Sequence, residues 1–193
     1  IAAMQAKGLD AVSFQRTQPA SYISHNKFIV KLHNGAPQSV WTGGTNFTEG
    51  GIFGHSNVAH VVEDSLIAQQ YLDYWKELTT DPTSTSLKNS VEILTPLPVG
   101  LPAPGTTAIF SPRKNQDALN WYADLARNAS DSLFMTFAFG MPDVFKDVYA
   151  TTQASLRFAL LEKTTRSMAN GPEKTAEESR IQQLRNKPKN VFA

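Results

Sequence analysis

The sequence predicts an α/β fold built around a mixed sheet, and three observations predict it. Residues 133–139 (LFMTFAF) and 156–161 (LRFALL) are nearly all apolar, as strands covered on both faces would be. Between and before these runs, apolar residues recur at helical spacing, as in Ala118, Leu125 and Ala129 around Trp121 or Tyr122. Strands alternating with helices favour a layered sheet-and-helix sandwich over an all-β or all-α domain.

Taken in order, the chain opens with helical spacing at Ile1, Met4, Ala6 and Leu9, and Gly8 is its expected stop. Residues 11–14 (AVSF) read as a short strand. Phe28-Ile29-Val30 lies in a second strand, with His25 and Lys27 at its start. Asn34-Gly35 is a hairpin signal, although the loop to Val40 reads as longer than two residues. Residues 39–42 form the return strand, and residues 57–62 (NVAHVV) a further one. Residues 65–78 are expected as a helix with Ile67, Tyr71, Trp75 and Leu78 on one face, stopped at Asp81-Pro82. Glu63 and Asp64 suit its N-terminus, where negative charge is favourable.

Residues 79–105 differ from their flanks. They are rich in Thr, Ser and Pro, with Pro96, Pro98, Pro102 and Pro104 close together, which predicts an extended, semi-rigid linker. Within it, residues 91–94 are expected to pair locally. A new pattern follows: a strand at 108–110, a helix over 115–129, the strand 133–139, a helix from Pro142-Asp143 through Val148, and the strand 156–161. Residues 170–190 read as a polar surface insertion, helical over 177–184. The domain reading is therefore 1–78, a linker 79–105, and 106–193. The start inside a helical pattern and the end at Val191-Phe192-Ala193, where a strand begins, predict an internal piece of a longer protein.

Bulk composition narrows the classes. The 193 residues include 41% hydrophobic and 10% aromatic residues, enough for a packed core rather than a disordered chain. The formal charge of +1 lacks the strong basic excess usual for nucleic-acid binding. There is no cysteine, which removes disulfides and thiolate metal sites and leaves the compartment open. No apolar run approaches the ~18 residues of a membrane span.

The chemistry concentrates in SHNKFIVKLHNGAPQSVWTGGTNFT, residues 24–48. On a strand, residues two apart share a face, so His25 and Lys27 present an imidazole and an ammonium side by side. A phosphodiester uses that pairing: the ammonium neutralises a non-bridging oxygen while the imidazole attacks phosphorus. Asn46 follows Gly43-Gly44, and its amide can donate to the same oxygens. The two glycines are expected to let backbone N–H groups approach an anion. The hydroxyls of Thr45 and Thr48 are further donors, and His55 and Asn57 flank the pocket.

These residues resemble the phospholipase D superfamily, whose signature is H-x-K-x4-D followed by G-[S/G]-x-N. HNKFIVKL and TGGTNFT carry the His, Lys, Gly-Gly and Asn in that order, and residues 57–78 look like the family's continuation. The resemblance implies a phospholipase D-like α/β/α sandwich, here incomplete: the end of one module, 1–78, and the start of a second, 106–193. It implies phosphodiester hydrolysis or transfer through a phosphohistidine, with His25, Lys27 and Asn46 catalytic, Gly43, Gly44, Thr45, His55 and Asn57 contacting substrate, and no metal or cofactor. Leu32 stands where the family has its motif aspartate, and Gly44 where serine is common. His33, His55 and His60 have no partner lysine in a second H-x-K, so a second catalytic histidine is expected from a C-terminal segment or another subunit.

Phospholipid is favoured over nucleic acid as substrate by the near-neutral charge, with peripheral membrane contact as a further expectation. The alternatives are a nuclease of the same superfamily and a degenerate module that binds phosphate or a membrane surface without turnover. Taken singly, the residues have plainer readings. Lys27 suits an exposed edge strand, Asn46 a turn, and His55 and His60 structural positions. Trp41, Phe47 and residues 134–139 read as core.

Overall fold

The computed structural model describes residues 2–18, 25–161 and 170–193. Ile1, the first apolar position of the opening helix, lies outside them. The fold is mixed α/β, with six strands and six α-helices among the described residues. The chain divides into two compact units, Ile1–Lys114 and Asn115–Ala193. Each holds one three-stranded sheet, and neither sheet is mixed: the first is wholly antiparallel, the second wholly parallel.

In the first unit a short helix, α1 (Ala2–Gln5), precedes a single 3-10 turn at Asp10–Val12. The strand expected at 11–14 does not form. Instead Arg16 and Thr17 tie the following segment to Asp81: the guanidinium donates to Oδ1 at 2.8 Å and the Thr17 backbone N–H at 3.0 Å. The sheet runs β1 (Phe28–His33), β2 (Ala36–Gly43), β3 (Ala59–Val62) in that spatial order. Asn34 and Gly35 both take positive φ, 50° and 79°, the two-residue hairpin geometry that matches strand twist. The longer loop expected there is thus replaced by strand. The register shifts between Lys31 and Leu32, setting Leu32 opposite Pro37. Pro37 has no N–H to offer, and it lies outside the stretch 40–43 that pairs with β3.

Helix α2 (Ser65–Thr79) covers one face of this sheet. Asp64 caps it, accepting from the backbone N–H of Leu66 at 2.8 Å and of Ile67 at 3.1 Å. Of the expected face, Ile67 is buried and Tyr71 and Leu78 pack on the core, joined by Ala68 and Tyr74, while Trp75 is exposed and meets Phe14 edge-on. Beyond it the expected linker contains a helix, α3 (Ser84–Leu94), capped by Thr83 and packed on α2 through Leu87 and Val91. The Ser and Thr content that suggested a linker includes a helix cap, and residues 91–94 are the last helical turn rather than a strand.

Residues 108–110 are not a strand either and belong to the first unit. Phe110 is buried, stacked on Tyr74 with ring centres 4.5 Å apart and edge-on to Tyr71 at 4.7 Å. Its N–H donates to Thr95 Oγ1 at 3.1 Å, and Arg113 Nε donates to its carbonyl at 3.0 Å. These aromatic contacts bind the 106–114 segment to α2, so the boundary falls after Lys114 and not within the Pro-rich stretch.

The second unit reads α4 (Asp117–Arg127), β4 (Ser132–Phe137), α5 (Asp143–Thr151), β5 (Leu156–Leu161), α6 (Pro172–Arg185), β6 (Asn190–Phe192). Strand order β4-β5-β6 is parallel throughout, so each step needs a helical crossover. Successive crossovers of one hand lay α5 and α6 on the same side. Leu133, Phe137 and Ala159 of the sheet, Phe145, Val148 and Tyr149 of α5, and Leu184 of α6 share one core. The other side is open: Phe134 is 63% exposed and Phe139 93%. Both were expected to be buried. Apolar runs signal cover on both faces only when helices lie on both sides, and here all three strands are visited in sequence.

Candidate functional site

The signature residues gather at one end of the β1–β2–β3 sheet. His25 and Lys27 immediately precede β1. The backbone continues the sheet pairing past Phe28, since Gly43 donates its N–H to the Lys27 carbonyl at 3.3 Å. Alternation then fixes the faces. Phe28 and Val30 turn towards α2, whereas Ile29 and Lys31 face away and are exposed. Lys27 falls on the outward face, and His25 two residues before it by the same alternation. Lys27 Nζ donates to the His25 carbonyl at 2.7 Å. One of the three ammonium donors is thereby used and two are left for a ligand. His25 is solvent-exposed and Lys27 partly so.

Asn26 faces the opposite way, a structural feature that residue types alone did not single out. Its side-chain amide donates to the Tyr74 hydroxyl at 3.0 Å, and that hydroxyl donates to the Ser111 carbonyl at 2.8 Å. Burial of Tyr74 pushes its phenol above the ordinary tyrosine range, a shift opposed by the Asn26 hydrogen bond and by the charge of Arg16. The phenol therefore stays protonated and keeps both bonds. Asn26 pins the backbone between the two outward side chains to the core of the unit. The signal was legible as parity: in H-x-K the middle residue must point away from its neighbours.

The two glycines part company. A Cβ on Gly43 would come within 2.3 Å of the Val58 carbonyl oxygen and 2.6 Å of Ala59 Cα, whereas a Cβ on Gly44 would meet nothing within 4 Å. Gly43 is thus required by the close approach of β3. Its N–H bonds Lys27, and the N–H of Gly44 bonds Val58 O at 3.0 Å. Neither is aimed at a ligand, which corrects the expectation that these glycines present backbone donors to an anion.

After Gly44 come Thr45, partly buried, and Asn46, exposed. The chain then makes a compact π-helical turn, Gly50–Gly54, ending at the exposed His55. Asn57 fastens that turn: its amide donates to Gly51 O at 2.7 Å, while Gly51 N–H donates to Thr48 Oγ1 at 3.0 Å. Gly51 sits so close to Asn46 that a Cβ there would lie 2.3 Å from the Asn46 carbonyl oxygen. Asn57 therefore supports the backbone beside Asn46. Phe47, expected in the core, is 58% exposed and leans on Trp41 with ring centres 5.1 Å apart. His60 pairs across from Thr42 and is exposed. Leu32, where the resemblance leads one to expect an aspartate, is exposed beside the β1 bulge.

The imidazole of His25 and the ammonium of Lys27 thus lie just before β1, and the amide of Asn46 and the hydroxyls of Thr45 and Thr48 in the segment that follows β2, with Thr48 Oγ1 accepting from Gly51 N–H. Among the described residues no group of three His, Asp or Glu side chains is placed to hold a metal ion. No family model, no curated protein and no solved structure matches this chain.

Proposed function

We propose that the chain is part of a phospholipase D-type phosphodiesterase, an incomplete α/β/α sandwich of that superfamily carrying one of two catalytic motifs. The observation that carries this reading is the bond from Gly43 N–H to the Lys27 carbonyl, which holds Lys27, just before β1, against the end of β2, with His25 two residues before it and Asn46 three residues beyond Gly43. A ring nitrogen of His25 attacks phosphorus, forming an N–P bond as the P–O bond to the leaving alcohol breaks. Lys27 and Asn46 hold the non-bridging oxygens and stabilise the charge that builds on them. A second histidine, supplied by another subunit or a C-terminal segment, protonates the leaving oxygen. Water then releases phosphate monoester from the phosphohistidine. The preferred substrate is a phospholipid, with a nuclease as the alternative within the same chemistry.

The test is turnover of bis(p-nitrophenyl) phosphate, followed by acid-free quenching and mass spectrometry. His25→Ala is expected to abolish turnover, a loss on the order of a thousandfold or more, and to remove a phosphoryl adduct from residue 25. Equal turnover in the variant refutes the assignment. Rates on phosphatidylcholine and on single-stranded DNA under one set of conditions decide between lipase and nuclease.

A second reading has its own support. Leu32 in place of the aspartate, and glycine N–H groups already bonded within the sheet, suit a degenerate module that binds phosphorylated headgroups without turning them over. It predicts headgroup binding, no turnover and no phosphohistidine.

A further inference from the structure

Helix α6 is held to the second unit in two different ways along its length. Its last turns make the apolar contacts: Leu184 is buried in the core and Ile181 packs against it. The Leu184 carbonyl accepts from the Asn190 side-chain amide at 2.7 Å and from the Lys187 N–H at 3.1 Å, which fastens this end to the start of β6. Residues 172–180 (PEKTAEESR) offer no large hydrophobic side chain, and none of them is buried. Their side-chain bonds to α5 are ionic. Glu177 accepts from Lys146 Nζ at 2.6 Å, and Arg180 donates to Asp143 at 2.9 Å and to Asp147 at 3.1 Å.

The two ionic arms differ in burial. Arg180, Asp143 and Asp147 are open to solvent, so dissolved salt screens their attraction. The Lys146 and Glu177 side chains are only 6% and 18% exposed. A covered ammonium depends on its partners, and removing one partner costs far more than the intact pair contributes. Asp143 also contacts Lys146, at 2.9 Å, but is shared with Arg180. Lifting the charged half of α6 hydrates Glu177, opens the side of Lys146 that faced it, and gives up little apolar contact. Helix α5 has no such freedom, because Phe145, Val148 and Tyr149 belong to the core.

We infer that α6 is an ion-latched strap. Residues 172–180 swing off α5 together, about the anchored turn at Ile181–Leu184, while the β4–β5–β6 sheet stays closed. Low ionic strength keeps the strap shut, and salt or loss of the Glu177 charge releases it. Helix α5 follows β4 directly, so Lys146, near its start, lies towards the carboxyl ends of the parallel strands. That is the edge at which open α/β sheets take their ligands, and release presents an ammonium there.

The experiment is hydrogen–deuterium exchange of the full chain, read by mass spectrometry on peptides from α6, β4 and β5. Two conditions are compared, about 0.01 M and about 1 M sodium chloride, between which the screening length falls from about 30 Å to about 3 Å. The α6 amides of the wild type are expected to exchange on the order of tenfold faster in high salt, with β4 and β5 unchanged. Glu177→Gln is expected to give the same rise in low salt, whereas Glu178→Gln, at an exposed neighbouring position, is expected to give none. Lys146→Met combined with Glu177→Leu replaces the covered pair by apolar side chains, and is expected to slow α6 exchange and shrink its salt response. The inference is overturned if wild-type α6 exchange ignores salt, if β4 and β5 open with it at the same rate, or if the apolar pair leaves the salt response at full size. A folded Glu177→Gln variant that exchanges as the wild type does also overturns it. Should that variant unfold the unit, the wild-type salt comparison and the apolar pair decide.

Discussion

The antiparallel sheet of residues 28–62 and the parallel sheet of residues 132–192 use their charged residues in opposite ways. In the parallel unit they are absorbed by the architecture. Arg157 is 7% exposed and donates to the Thr152 carbonyl at 3.1 Å and to the Pro188 carbonyl. Lys146 is buried on α5 and reaches Asp143 at 2.9 Å and Glu177 of α6 at 2.6 Å. Arg180 adds bonds to Asp143 at 2.9 Å and Asp147 at 3.1 Å. Lys146 and Arg180 together hold the Asp143 carboxyl below the usual range, the Lys146 hydrogen bond contributing most. In the antiparallel unit Lys31 and every histidine are left facing solvent, and Lys27 is only partly covered. A charge with its partners already in place holds a fold together, whereas one left at a strand end is available to a ligand. The position of the charges, and not their number, separates the candidate site from the scaffold.

The strongest way to break this contrast is through Tyr149, fully buried in the second core with its hydroxyl donating to the Phe158 carbonyl at 2.7 Å. Tyr149→Ala is expected to cost about 3–5 kcal/mol in urea unfolding of the second unit. The near-ultraviolet signal of the first unit is expected to keep its midpoint. Burial also pushes the Tyr149 phenol up to about 12. The neutral phenol is therefore favoured in the folded state. Its contribution is complete below the unfolded value of about 10 and is lost as pH rises towards about 12. Tyr149→Phe flattens that alkaline loss, and an unchanged alkaline profile contradicts the burial argument.

The glycine pair sharpens the contrast inside the first sheet. Gly43→Ala is expected to cost about 1–3 kcal/mol, because strand β3 must move to admit the methyl group. Gly44→Ala is expected to lie within about 0.5 kcal/mol of wild type. Equal melting temperatures for the two variants would show that Gly43 is not the tight point. A drop in diester turnover for Gly44→Ala without loss of stability would mark its open side as the approach of substrate.

The smallest effect tests the anchor behind the site. Tyr74→Phe removes the hydroxyl that joins Asn26 to Ser111 and is expected to destabilise the unit by about 1 kcal/mol. If Asn26 positions its neighbours, kcat for the soluble diester falls several-fold while KM holds. A variant with altered KM alone would assign Asn26 a different part.

Much of the secondary structure was legible from local pattern. The hairpin signal Asn34-Gly35, the cap at Asp64 and the helices of residues 65–78, 115–129 and 143–148 all rest on neighbours within a few positions, and each has its counterpart in the fold. The short strand at 11–14 was misread because Ser13 closes a local turn on Leu9, and the linker at 79–105 because its Thr83 caps a helix while Asp81 and Thr95 serve contacts made far away. Arg16 and Thr17 answer to Asp81, and Thr95 to Phe110. In the candidate site His25, Lys27 and Asn46 were visible as residue types at a spacing, whereas Tyr74 was visible only as one more aromatic on a helix.

By itself, then, the sequence determined which segments are strands or helices over most of the chain, and which side chains share a strand face, because both follow from periods of two and 3.6 residues. Tertiary structure alone decided which faces are covered, that the sheets are separate and unmixed, and that Gly43 serves the close approach of β3 while Asn26 reaches Tyr74. Those outcomes depend on contacts between residues far apart in the chain, and no local period encodes them.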